Sequence, residues 1–380
     1  MTERKRFDYI DALRGWAILG VIVTHVGLRT LEGDGITGLI RKATDLGAMG
    51  VPLFYMVSAF TILYLYEKRI LDESRPAGSF YIRRILRIAP VYWGGIILYT
   101  ALYGLTGSRG WLEGPELWHY PLHLSFLNMT NPFSPSTVVP GGWSISNEVI
   151  FYLIFPAIFH LVRSLRGAIA LFAACLMISP ITHQLADVLV AHWFPAATPT
   201  EAQQFAYRWL PNQIVCFAAG FVMLHLLRDG ARSAPVKLIS GNGKLAVMAL
   251  VISLPVVVLL SAKTSIDKNV YWTCWFLILG LYLSTHNPAA LVNKLTVWLG
   301  KISFSCYIIH FIVIDLLMHV VPEFNAISRF LLVLFATLPI TTLLAHLSFQ
   351  YFEQPFSNIA KRLVNYYQKR EKGSDVVARS

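Results

Sequence analysis

Arg14 and His25, both in the first apolar stretch "RGWAILGVIVTH", are spaced to work along one helix face. Eleven residues at about 100° each return to within roughly 20° of the same direction, with about 16 Å of rise between the two. Asp11, three residues before Arg14, is placed to pair with it. A planar guanidinium orients anions and a neutral imidazole takes protons near pH 7, so this face could bind a charged substrate and move a proton. A snorkelling arginine and a hydrogen-bonded structural histidine are the plainer reading. His25 resists it more than Arg14 does, because an ionisable group deep in an apolar span is costly.

Four further strings carry polar chemistry. In "YIRRILRIAP", Arg84 and Arg87 share a helix face at i and i+3, with Arg83 beside them, a grouping that suits a polyanion such as the phosphates of a nucleotide cofactor. From charge alone, ordinary basic charge at a span boundary is the plainer reading. In "GGWSISNEVIFYLIFP", Glu148 falls in the first two turns of a helix with Trp143, Ser146 and Asn147 close by. A carboxylate there favours the helix N-terminus, and the whole group could also bind a polyhydroxylated acceptor by stacking and hydrogen bonding. In "GKISFSCYIIHFIV", Ser303, Tyr307 and His310 recur on one face, with His310 about 18 Å into the helix. Glu353 in "YFEQPF" is placed for a salt bridge to an arginine.

These residues need helices in a membrane to position them. Of 380 residues, 55% are hydrophobic and 14% charged, against about 25% charged in a soluble domain. The net charge of +11 sits between apolar segments and so reads as topology; nucleic acid is not an expected partner. An all-α polytopic fold with about ten transmembrane helices is expected, near 10–28, 47–67, 88–106, 143–162, 168–186, 211–228, 244–262, 270–286, 298–320 and 327–351. With both termini cytoplasmic, 24 of the 32 Lys and Arg residues fall inside, including Arg4, Lys5, Arg6 and the 68–87 loop. The first span reads as retained rather than as a cleaved signal. Residues 1–352 are expected to form the membrane domain and 353–380 a basic cytoplasmic tail. The longest outer loop, 107–142, holds His119 and His123. The four cysteines lack metal-like spacing and read as buried packing residues, and no metal is expected.

Taken together, "FDYIDALRGWAILGVIVTH", "GVPLFYMVSAF", "RRILRIAP", "WSISNEVIFYLIFP", "LGKISFSCYIIH" and "YFEQPF" resemble, in order, the acyltransferase type 3 family of integral membrane acyltransferases. Ala59 stands where that family commonly has Gly, and Asn147 where it often has an apolar residue. The resemblance implies acyl transfer, usually acetyl from acetyl-CoA, to a hydroxyl of an exported or lipid-linked glycan in the bacterial inner membrane, with polysaccharide-assembly proteins as possible neighbours. It makes Arg14 and His25 the essential pair, raises Glu148 as a third catalytic candidate, and places Arg83, Arg84, Arg87 and Ser58 with the donor. Trp143, Ser146, Asn147, Tyr307 and His310 are then expected to bind the acceptor. A transporter or flippase, or an enzyme using a succinyl group or a non-sugar acceptor, is the alternative.

Overall fold

The computed structural model describes residues 7–229, 234–264 and 267–377. Arg4, Lys5, Arg6 and the last three residues of the expected tail lie outside the described residues. The chain is helical throughout: α1 (Asp8–Thr30), α2 (Gly35–Asp45), α3 (Gly50–Arg69), α4 (Pro76–Tyr103), α5 (His119–Leu124), α6 (Gly142–Leu161), α7 (Leu165–Trp193), α8 (Pro199–Arg208), α9 (Leu210–Arg228), α10 (Ala234–Gly241), α11 (Gly243–Lys263), α12 (Lys268–His286), α13 (Lys294–Val320), α14 (Ala326–Ser348) and α15 (Gln354–Val377). Among the described residues the only β-pairing is an isolated bridge between Arg109 and Leu112.

Every expected span is a helix, and nine stretches among the described residues are long and apolar enough to cross a bilayer. The tenth, α12, is a 19-residue helix that falls outside that set. The expected 68–87 loop is much shorter. Pro76 sits at the start of α4, where a missing N–H costs nothing, so the helix begins three turns early and carries Arg83, Arg84 and Arg87 on its surface. Within 353–380, the described residues are helical through Val377. Phe349–Glu353 form a π turn that leads directly into α15. There Gln368 donates to the Ser79 hydroxyl at 3.2 Å and accepts from the Ser74 N–H at 3.1 Å, tying α15 to the start of α4.

The helices divide into an inner and an outer set. Within the spans, 83% of α13 and 61% of α1 is buried, against 17% of α11 and 22% of α7. With lipid tails as apolar as leucine, inner helices associate through close packing and polar contacts. Gly15 and Gly300 supply that closeness: a Cβ on Gly15 would strike the Thr296 carbonyl, and one on Gly300 the Asp11 carbonyl. Asn293 caps α13 by accepting from Leu295 and Thr296 N–H groups at 3.0 and 3.1 Å, which fixes where that crossing begins. Ala59, the departure from the usual glycine, packs on α9 at Gly220, so the partner helix makes room for the extra methyl. Cys175, Cys216 and Cys306 are buried as expected; Cys274 is exposed, on an apolar helix whose outer face has no protein neighbour there.

Candidate active site

Five helices line an open cavity of about 80 Å³. α1 contributes Arg14, α3 Tyr55 and Ser58, α4 Arg84 and Arg87, α6 Ser144, Glu148 and Tyr152, and α13 Ser303 and Tyr307. The lining is basic at one end and hydroxyl-rich at the other. Helical period explains the α6 set: Ser144, Ile145, Glu148 and Tyr152 fall within about 100° of one another, and Ser146 points the opposite way.

The polar groups are held from two sides. Arg14 donates Nη1 to Asp11 Oδ1 at 3.0 Å and Nη2 to Thr61 Oγ1 at 2.9 Å, so α1 and α3 together orient the fork. Glu148 Oε1 accepts from Ser58 Oγ at 2.5 Å and from the Tyr152 hydroxyl. Ser58 and Tyr152 are themselves 3.1 Å apart, which closes a three-member polar cluster in the wall. Arg84 is 7% exposed and lies over the Tyr152 and Phe80 rings at 5.6 and 5.7 Å. Its Nε has no hydrogen-bond partner, and no carboxylate among the described residues forms an ion pair with it. A buried guanidinium with an N–H still to satisfy is chemically suited to an anion. Arg83 differs from its neighbours. Glu73 takes its Nη2 at 2.6 and 2.8 Å, and it does not line the cavity. Of the expected trio Arg83, Arg84 and Arg87, only Arg84 and Arg87 line the cavity, and Arg14 joins them there.

Tyr55, Ser144 and Tyr307 form the far wall. Ser144 Oγ donates to the Tyr307 hydroxyl at 2.8 Å, and that hydroxyl donates to the Gly141 carbonyl at 3.1 Å. Gly141, with φ +76°, takes the left-handed conformation that lets its carbonyl face α13 just before α6 starts. His25 lies outside this cavity. One turn beyond Tyr307, His310 meets it, Nε2 to Nδ1 at 3.1 Å. Phe311 packs on the His25 ring at 4.4 Å, Trp111 backs Phe311 at 5.5 Å, and Arg29 covers Trp111 at 4.9 Å. Glu148 keeps company with the arginines rather than with His25.

Two expected acceptor residues are engaged elsewhere. Ser146 is fully buried and donates to the Phe126 carbonyl at 2.5 Å; Asn147, also buried, donates to the Arg208 carbonyl at 2.6 Å. They fasten the 107–142 segment and the α8–α9 corner to α6. Trp143 remains partly exposed, with the Arg208 guanidinium 5.9 Å above its ring and Tyr207 at 6.5 Å. Lys268 lies 4.3 Å over Tyr207. Sequence reasoning missed Tyr152, Thr61, Ser144 and Arg208. Tyr152, four residues after Glu148, carried a helical-spacing signal; Arg208 carried none, since α8 is a short polar helix between spans. Glu353, expected to meet an arginine, is buried, accepts from Ser305 Oγ at 3.2 Å and interacts electrostatically with Arg87 and Arg14 without a direct ion pair. No cluster of His, Cys, Asp and Glu able to hold a metal occurs among the described residues.

Such a fold and site define a multi-pass membrane protein with a basic, partly polar chamber leading toward a histidine pair, His310 buried and His25 half-buried. Residues 7–346 match the family model described as an acyltransferase domain, and the chain belongs to the acyltransferase type 3 family. It is similar to the acyltransferase MdmB of Streptomyces mycarofaciens, 24% identical over 81% of this chain and 79% of that one. It is also similar to nodulation protein 10 of Rhizobium leguminosarum bv. viciae, 26% identical over 43% of this chain and 47% of the other. The exopolysaccharide production protein ExoZ of Rhizobium meliloti is 30% identical over 32% of this chain and 37% of its own length. No solved structure matches. The protein is an acyltransferase enzyme of the membrane.

Proposed function

We propose that this enzyme transfers an acetyl group from acetyl-CoA to a hydroxyl of an exported or lipid-linked glycan, in the bacterial inner membrane with both termini in the cytoplasm. The observation that carries the reading is the cavity itself: three arginines at one end, one of them buried without an anion, and a histidine pair one helical turn beyond the other. Arg84 and Arg87 hold the donor's phosphates, and Arg14, fixed by Asp11 and Thr61, orients it. The Glu148 cluster shapes the wall between them. Relatives named for exopolysaccharide production and nodulation support a glycan acceptor. Trp143 and Arg208 supply it with an aromatic face and a cation.

His25 has two routes open to it. As general base it takes the hydroxyl proton while the oxygen attacks the thioester carbonyl; the C–S bond breaks and the proton passes to the departing thiolate. As nucleophile it accepts the acyl group on nitrogen first and then yields it to the hydroxyl. Purified enzyme in lipid nanodiscs, given acetyl-CoA with a labelled acetyl group and lipid-linked glycan, should place label in the glycan and release one CoA thiol per label. Glycan that moves across the bilayer without gaining label would instead identify a transporter.

A further inference from the structure

His310 was expected to touch the acceptor. Its surroundings give it a different task. The ring is fully buried in α13, and its Nδ1 lies 3.1 Å from the Cys306 carbonyl. A carbonyl can only accept, so Nδ1 carries the proton. A neutral His310 then presents a lone pair at Nε2, 3.1 Å from His25 Nδ1. For that contact to be a hydrogen bond, His25 must donate from Nδ1, which leaves the His25 Nε2 unprotonated. Both routes open to His25 need that free nitrogen.

We propose that His310 is a positioning residue that fixes the tautomer of His25, so that its Nε2 is the reactive atom. This rests on the reading of His25 as the group that moves the proton or the acyl chain. The arrangement does the work that an aspartate does in a Ser-His-Asp triad, without a buried negative charge. Among the described residues no carboxylate forms an ion pair with either ring. The order of bonds is Cys306 carbonyl, His310, His25, and then the open nitrogen. Phe311, packed on the His25 ring at 4.4 Å, and the Tyr307 ring, 5.7 Å from that of His310, keep the two imidazoles from turning over. The carbonyl of Val21, one turn back on α1, is the other polar neighbour of His25. The contribution of His310 is therefore a measurable question.

The test compares His310→Leu, which fills the volume without an acceptor, with His310→Gln, whose amide oxygen can stand where Nε2 stood. Transfer by the leucine variant should fall about 100-fold in kcat, the scale at which a partner orienting a histidine acts, with KM for acetyl-CoA unchanged. The glutamine variant should recover most of that loss. A second readout needs no substrate. Diethyl pyrocarbonate carbethoxylates whichever imidazole nitrogen is unprotonated and within reach; with Nδ1 of His25 walled off by residue 310, it reads Nε2, and peptide mass spectrometry locates the adduct. His25 should react fast in wild type and in the glutamine variant, and slowly in the leucine variant. If leucine leaves both transfer and His25 reactivity at wild-type levels, Val21 alone suffices and the proposal falls. If glutamine is as impaired as leucine in both, a hydrogen-bond acceptor is not what His310 supplies, and the proposal falls too. If wild type shows the expected order of His25 reactivities but no acetyl transfer, the positioning role stands and the acetyl-CoA reading fails.

Discussion

At the residue scale, Arg14 shows how geometry separates a working arginine from a boundary charge. Asp11 and Thr61 hold its fork at two points from two helices. A lysine keeps the charge but can offer neither the plane nor both bonds at once. Arg14→Lys should therefore lower kcat/KM for transfer by about 100-fold, equivalent to roughly 3 kcal/mol of lost orientation. The amount of protein folded in the membrane should stay unchanged; an assay returning near-wild-type transfer would reduce Arg14 to a boundary charge. The sequence made Arg14 legible because its spacing to His25 follows from helix period alone. It could not separate Arg83 from Arg84. The two are adjacent in the chain, and only the fold decides that Glu73 neutralises the first while the second turns inward over Tyr152 and Phe80 with no ion-pair carboxylate among the described residues. Ser146 and Asn147 were unreadable for a related reason. Their phase on α6 is set by where the helix begins, at Gly142, and by backbone carbonyls brought to them from residues 126 and 208.

At the element scale, the crossing of α1 and α13 and the folded 107–142 segment carry the main consequences. Gly300→Val would force the two backbones apart at Asp11. We expect a loss of about 2–3 kcal/mol, read as a lower thermal midpoint in detergent, together with loss of transfer, because the His25–His310 contact spans the same pair of helices. Spans such as these were legible in composition. The internal order of the 107–142 segment was not, since it depends on distant partners. His123 there donates from Nε2 to the Ser134 carbonyl at 2.9 Å and accepts at Nδ1 from the Tyr92 hydroxyl at 2.7 Å. Burial pushes its value down from 6.5 to about 3. The sign follows directly. Below pH 6.5 the unfolded segment binds a proton that the folded one refuses, so the segment's stability is full above that pH and declines as pH falls toward about 3. Limited proteolysis in nanodiscs should show cleavage within 107–142 rising as pH drops from 7 to 4. The rise should be smaller in His123→Gln, whose amide does not titrate; His119, also lowered by burial, accounts for the rest.

At the scale of the whole molecule, the charge distribution and the cavity bear on the donor together. Arg84→Ala and Arg87→Ala should each raise KM for acetyl-CoA by about tenfold or more while changing kcat less, the signature of lost binding rather than lost chemistry. Raising the ionic strength should narrow the gap between wild type and variants, because the attraction being removed is partly screened. A kcat collapse at constant KM would move these arginines from binding to the reaction step. The nine membrane-capable stretches among the described residues and the family strings were readable from residue order. The separation of His25 from the arginine cavity by Tyr55, Ser144 and Tyr307 was not, because three helices build that wall. One consequence of the Gly15–Gly300 contact reaches furthest. Helices that meet backbone to backbone cannot slide or part without breaking that seat, so α1 and α13 behave as a fixed axle bearing Arg14, His25, Tyr307 and His310. Whatever opens the way between the chamber and the histidines must then be movement of the surrounding walls, α3, α4, α6 or the folded loop. An alternating machine would need its halves to pivot through that axle; a group passed from one station to the next needs only a wall that yields.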